Sequence, residues 1–171
     1  MTTAATLWRQ MTAADLAAVN AIAAQVHVAF PEDAAIFAER LALYPTGCYV
    51  LDRERDGIGG YVVSHPWRIA EPPALDTLLG SLPSPASTYY IHDVALLPHG
   101  RGNGAGAALV ALLLRHAVAV GLDTISLVAV NGSVPFWRSQ RFEVMENHAL
   151  ARKLASYGVD ARYMVRTAET G

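Results

Sequence analysis

The chain has 171 residues, enough for one domain with a substantial core, and 53% of them are hydrophobic against 16% charged, which argues against disorder. A formal charge of −2 with no run of Lys or Arg gives no footprint for nucleic acid or an anionic membrane, because such affinity comes largely from neutralised phosphates. A single cysteine, Cys48, excludes an internal disulfide and a thiolate metal cage.

Met1 to Trp8 lacks the basic, apolar, small-residue order of a signal peptide. The most apolar stretch, Ala107 to Val120, is interrupted by Arg115 and His116 and is shorter than the roughly 20 residues a bilayer needs. A cytoplasmic protein is expected, and the apolar composition is compatible with a homodimer.

Leu7 to Met11 reads as a first strand. Thr12-Ala-Ala-Asp15 resembles a capping box with Asp for Glu and opens an apolar helix to about Val28. Pro31 breaks the pattern, and Glu32 to Tyr44 reads as a second helix that Pro45 ends. Cys48 to Leu51 and Gly60 to Ser64 are strand-like runs about the charged turn Asp52 to Gly59, which predicts a hairpin. His65 to Thr88 carries five prolines, with Leu75 to Leu82 alone able to form a helical turn; so long a connection is more often functional than idle.

Tyr89 to Leu96 is the next strand, followed by a Gly-rich loop and an apolar helix from about Gly104 to Val120, with Gly121 at its end. Thr124 to Val130 predicts a strand, Val134 to Gln140 a short helix, Phe142 to Glu146 a strand, Leu150 to Tyr157 a helical segment and Ala161 to Arg166 a last strand. No repeat or linker divides the chain, so residues 1–171 are read as one mixed α+β domain.

In Gly100-Arg101-Gly102-Asn103-Gly104-Ala105-Gly106 four glycines alternate with larger residues between a strand and a helix. Backbone N–H groups there converge on an anion, and the helix N-terminus adds to the attraction. A Walker loop would end in Gly-Lys-Ser/Thr, whereas Ala107 and Ala108 follow Gly106. A dinucleotide fingerprint is formally met by Gly102, Gly104 and Ala107, but its acidic residue, Asp123, precedes the next strand instead of ending it.

The segment Val94 to Gly106 resembles motif A of the GNAT N-acetyltransferases, whose Gln/Arg-x-x-Gly-x-Gly/Ala signature is met by Arg101, Gly104 and Gly106. Ser126 to Val130, Asn131, Phe136-Trp137 and Phe142 resemble motif B, and the element order is similar across nearly the whole chain. The resemblance implies a GNAT fold, a mostly antiparallel, splayed central sheet flanked by helices, and acetyl-CoA as cosubstrate. It implies that backbone groups of Val94, Ala95 and Leu96 hold the pantetheine arm. It also implies that amides of Arg101, Gly102, Asn103, Gly104, Ala105 and Gly106 hold the pyrophosphate, with Asn131 near the pantetheine and Phe136 and Trp137 near the thioester. The implied reaction is transfer of the acetyl group to a primary amine of a small molecule or peptide. Trp67, Pro72 and Pro73 fall where the family places acceptor-binding loops.

Three departures are visible. Trp137 stands where the family often has the tyrosine that protonates the leaving thiolate, the segment Asn131 to Trp137 is one residue short, and Arg141 replaces the usual Gly before Phe142. A binding module that keeps the cofactor cleft without efficient chemistry is the alternative these departures raise.

Acetyl transfer needs a neutral amine, a polarised carbonyl and a proton for the leaving thiolate. On Tyr90-Ile91-His92-Asp93-Val94, strict alternation puts Tyr90, His92 and Val94 on one face and Ile91 and Asp93 on the other. His92 matches the position at which the family often carries its base, and imidazole has a suitable intrinsic pKa. Asp93 and Tyr90 are the other catalytic candidates, with Tyr157 and Tyr163 as further phenols. The remaining histidines show no metal-ligand spacing and are assigned no role.

Overall fold

The structure is a computed structural model that describes residues 7–169, so the stretch Met1 to Thr6 read for a leader lies outside it. The chain runs β1 (Trp8–Gln10), α1 (Leu16–Val26), α2 (Ala34–Leu43), β2 (Cys48–Asp52), β3 (Ile58–Trp67), β4 (Thr88–Leu96) and α3 (Ala105–Ala119). β5 (Thr124–Ala129), α4 (Val134–Ser139), β6 (Glu143–Val144), α5 (His148–Lys153) and β7 (Arg162–Thr167) complete it. The seven strands form one sheet in the order β1-β2-β3-β4-β5-β7-β6, in which β4–β5 is parallel and the other pairs are antiparallel.

The expected capping box is present. Thr12 donates its backbone N–H to Asp15 Oδ2 at 2.8 Å, and Asp15 also receives Arg9, which fixes the entry to α1. α2 begins two residues later than the periodicity predicts, because Asp33 caps it by accepting from Ala35 N at 2.8 Å. β3 runs on through His65, Pro66 and Trp67, which sequence alone places in the loop. Pro66 pairs with Tyr89 and Trp67 with Thr88. The predicted helical turn at Leu75 to Leu82 does not form. Its amides are drawn outward instead, Leu79 and Gly80 donating to the Glu39 carboxylate and Asp76 to Glu32.

α3 buries Leu109, Val110, Leu113, Leu114 and Ala117 against one face of the sheet, at the i, i+4, i+8 spacing that a helix needs to present one apolar stripe. α1 and α2 cover the other face, with Val19, Ile22 and Phe37 packed on Val50, Tyr61 and Val63. Cys48 is fully buried on this side, and burial pushes its thiol up to about 12, so it behaves as a small apolar residue.

β4 decides the rest of the architecture. Opposite it on β3, Val63 pairs with Asp93 and Ser64 with Ile91, so His92 is an extra residue in a β-bulge. The pairing of β4 with β5 stops at the same place. Tyr89, Tyr90 and Ile91 face Ile125, Ser126 and Leu127, and beyond them the two strands part.

Candidate active site

The gap between β4 and β5 opens into a cavity of about 640 Å³ that reaches from the Gly-rich loop to the α1–α2 connection. Its first wall is backbone. Leu97 N donates to Gly59 O at 2.9 Å, and strand alternation then turns the peptide groups of Ala95 and Asp93 toward β3 and those of Val94 and Leu96 toward the gap. Ala95, expected to act with its neighbours, thus has its amide committed to the sheet and lines the cavity by position only.

The Gly-rich loop forms the second wall. Gly102, Asn103 and Gly104 hold φ of 88°, 54° and 73°, a left-handed run that two glycines and an asparagine tolerate. Among the described residues, the N–H groups of Gly102, Asn103, Gly104, Gly106 and Ala107 meet no acceptor, so several donors converge at the start of α3. A Cβ on Gly104 would enter open space, whereas one on Gly106 would come within 2.9 Å of the Phe136 ring. Phe136 is therefore fixed against the loop. From below, the Trp8 indole donates to Ala105 O at 2.9 Å and pins the first turn. Arg101 turns back to Leu96 O through Nε at 3.1 Å.

The third wall carries the ionisable groups. The bulge puts two successive side chains on one face, so His92 and Asp93 both project toward α1 and α2, while Ile91 and Val94 face α3. This overturns the strict alternation expected from the sequence, which would have separated His92 from Asp93. His92 Nε2 lies 2.9 Å from Glu32 Oε1, and the two side chains are 1% and 7% exposed. His92 Nδ1 is buried without a protein partner among the described residues. Burial opposes ionisation of Glu32, but the bond to His92, the charge of His92, the Asp76 amide and Arg40 together hold its carboxyl below the ordinary value.

Asp93 makes a second pair. Its Oδ1 lies 2.7 Å from His27 Nε2, off the N–H axis, and its Oδ2 accepts from the Tyr61 hydroxyl. His27 Nδ1 accepts from Asn131 Nδ2 at 3.0 Å, which ties the end of α1 to the turn after β5 across the gap. Burial pulls the His27 imidazole down, yet Asp93 and, more weakly, Glu32 outweigh it and leave a net upward shift. Neither His27 nor Glu32 is marked out by the sequence. Each lies sixty or more residues along the chain from its partner, and only the fold brings them together.

Tyr90 is a candidate that the structure removes. Its ring is 1% exposed, packs on Leu150 and Tyr163, and does not line the cavity; burial drives its phenol well above the ordinary value. Tyr163 is engaged by the Ala70 amide at 2.9 Å. Tyr157 lines the cavity, but its hydroxyl donates to Pro73 O at 2.6 Å. Trp67 contributes to a small core with Tyr90, and Pro72 and Pro73 are buried, so none of the three lines the cavity.

The Acetyltransferase (GNAT) family matches residues 16–142, which takes in α1, the bulged strand, the Gly-rich loop and the aromatic α4. The chain belongs to the GNAT acetyltransferase family. Acyl-CoA-dependent acyl transfer goes with that membership. No curated protein matches by sequence. Among solved structures, Ard1 from Thermoplasma volcanium is 15% identical with a TM-score of 0.69, covering 95% of this chain and 97% of that one. The GNAT-like decarboxylase GphF in complex with isobutyryl-CoA is 16% identical with a TM-score of 0.73, covering 95% and 99%. The ribosomal-protein-S18-alanine N-acetyltransferase from Escherichia coli is 16% identical with a TM-score of 0.63, covering 96% and 94%. These likenesses establish the GNAT fold.

Two departures from the GNAT pattern acquire physical content. Arg141, in place of the usual Gly, holds φ 66°, the conformation that glycine serves. Trp137 is 6% exposed and packs edge-on against Phe136 and Phe142, with ring centroids 5.0 and 5.2 Å away, so it is fixed in the cavity wall; its indole N–H is far too weak an acid to protonate a thiolate as a phenol could.

Proposed function

We propose that the protein is an acetyl-CoA-dependent N-acetyltransferase that passes the acetyl group directly to a primary amine of a small molecule or peptide in a ternary complex, with His92 as general base. The observation that carries this reading is the setting of His92: Nε2 is anchored by Glu32, which leaves Nδ1 as a buried ring nitrogen without a protein partner among the described residues, on a residue that lines the cavity. A carboxylate that fixes the tautomer and orientation of an imidazole is the arrangement general-base catalysis uses.

In this reading acetyl-CoA is bound by groups that the fold leaves unsatisfied. The amides of Gly102, Asn103, Gly104, Gly106 and Ala107 receive the pyrophosphate, with Arg101 at the rim; the amides of Arg101 and Ala105, expected to join them, are taken by Pro98 O and Gly102 O. The peptide groups of Val94 and the N–H of Leu96, whose carbonyl already receives Arg101 Nε, pair with the pantetheine amides, which complete the edge that the splay exposes. Asn131 and Phe136 border the pantetheine, and Trp137 floors the thioester. The incoming ammonium gives one proton to His92 Nδ1, and the amine nitrogen attacks the thioester carbonyl. The tetrahedral intermediate collapses with cleavage of the C–S bond, and the imidazolium passes its proton to the leaving thiolate. The imidazole so freed takes the second proton from the amine nitrogen and releases it to solvent, so that the amide, CoA thiol and one H⁺ are the products. No tyrosine is then needed at position 137. Asp93 and His27 act as positioning residues beside the acceptor.

The test is release of free CoA from acetyl-CoA in the presence of a broad amine panel, alongside calorimetric titration with acetyl-CoA. Turnover with at least one amine and saturable binding are expected. Absence of binding at millimolar acetyl-CoA sinks the reading, and tight binding without turnover of any amine favours the binding-module alternative.

A further inference from the structure

The end of the cavity away from the Gly-rich loop is walled by Ala23 and Val26 of α1, Phe30, Phe37 of α2, Leu75 and the Tyr157 ring. The ionisable groups on that wall are Glu32, His92, His27 and Asp93. Two carboxylates thus face two imidazoles, and no Lys or Arg lines this end among the described residues. Arg101, the arginine that does line the cavity, sits at the phosphate end with Nε on Leu96 O. Arg40 is buried close to Glu32 but outside the lining. Its Nη1 is taken by Glu39 at 2.7 Å and its Nη2 by Thr77 O at 3.2 Å.

This combination sorts amines by chemistry. An ammonium is attracted by Glu32 and Asp93. A carboxylate on the neighbouring carbon would be set beside those same two carboxylates, with only the imidazoles of His27 and His92, already engaged by Asp93 and Glu32, to receive it, and like charges at short range in a low-dielectric site repel. A second ammonium further along the chain, as in a polyamine, would be pressed against Phe30, Phe37 and Leu75, where an unpaired charge is costly. An apolar body matches that wall instead.

We infer that the acceptor is an apolar monoamine without a carboxylate, an alkylamine or arylalkylamine whose hydrocarbon part rests against Phe30, Phe37 and Leu75. The inference rests on the acyl-transfer reading and narrows it from primary amines in general to one class.

The experiment is CoA release by the full chain at saturating acetyl-CoA with 2-phenylethylamine, hexylamine, phenylalanine, phenylalaninamide and spermidine. The expected kcat/KM for the two apolar monoamines exceeds those for phenylalanine and spermidine by roughly tenfold or more, with phenylalaninamide between, because it keeps the ring and loses the negative charge. A preference for phenylalanine or spermidine overturns the inference while leaving acyl transfer standing. No turnover with any amine removes the acyl-transfer reading and this inference with it. Leu75 is half-buried on a loop, so Leu75→Arg is tolerated by the core, as the thermal midpoint will check. It is expected to shrink the ratio of phenylethylamine to phenylalanine by about tenfold, by lowering KM for the amino acid. An unchanged ratio in the folded variant also overturns the inference.

Discussion

His65 stands on β3 directly behind the catalytic candidate, its ring centroid 6.4 Å from that of His92, 5.7 Å from Tyr90 and 5.5 Å from Trp67. The ring is 1% exposed. Nδ1 donates to Pro66 O at 2.9 Å, and Nε2 is buried without a protein partner among the described residues. Protonation would place a charge in the core with no carboxylate against it, and burial, with smaller contributions from His92 and Arg40, lowers its pKa from 6.5 to about 3. A folded pKa below the unfolded one means that the unfolded chain binds the extra proton. Stability from this group is therefore present above pH 6.5 and is lost as pH falls toward 3. Integration between pH 7 and pH 4.5 with those two values gives a loss of roughly 2.5 kcal/mol. Urea unfolding of the parent and of His65→Phe at both pH values isolates it, because the packing cost of the substitution appears at both and cancels. The variant is expected to lose roughly 2.5 kcal/mol less than the parent over that interval. Parallel pH dependences in the two proteins would refute the claim that His65 is buried neutral.

Gly104 holds φ 73° with open space where a Cβ would stand. Gly104→Asn, which tolerates that conformation, is expected to leave the acetyl-CoA dissociation constant within about threefold, and Gly104→Asp to raise it by at least tenfold, about 1.4 kcal/mol, by calorimetry; equal affinities would show that the phosphates bind elsewhere. His92→Gln is expected to lower turnover by roughly 10² to 10⁴-fold with little change in acetyl-CoA affinity, and full activity with the parent pH profile would make His92 structural. Glu32→Gln keeps the reach to His92 and to the Asp76 amide but loses the charge, so a smaller fall in kcat than that of His92→Gln is expected in the same assay. Trp8→Phe removes the indole bond to Ala105 O and is expected to cost about 1 to 2 kcal/mol in urea unfolding, an unchanged midpoint being the contrary result.

What the sequence made legible is what local chemistry determines. The glycines from Gly100 to Gly106, between a strand and an apolar run, specify a left-handed loop with free amides at a helix start, and the capping box at Thr12 and Asp15 specifies a helix start. Turn chemistry and period-2 runs likewise locate β2, β4, β5 and β7. Three-dimensional partners were illegible. Glu32 and His27 lie in and before the α1–α2 connection, with nothing in their surroundings to separate them from ordinary polar residues. Trp8 near the N-terminus reaches α3 only because β1 forms the sheet edge above it. The Leu75 to Leu82 segment has helical composition and is held open by carboxylates from α2 and from Glu32, which no window on its own residues contains.

The bulge at His92 is the consequential case, because an inserted residue leaves no trace in composition. Were β4 regular, Asp93 would point with Ile91 into the apolar face beneath α3, where its carboxylate would have neither Tyr61 nor His27 to receive it. A regular β4 could also continue to pair with β5 beyond Ile91 and Leu127, and the peptide groups of Val94 and Leu96 would be spent on the sheet. One extra residue therefore does two things at one point of the chain. It bends β4 away from β5, which opens a backbone-lined slot, and it turns two successive polar side chains to the same side at the head of that slot. Slot and ionisable groups come from a single local distortion, so a substitution that restored regular pairing at position 92 would be expected to close the first and scatter the second together.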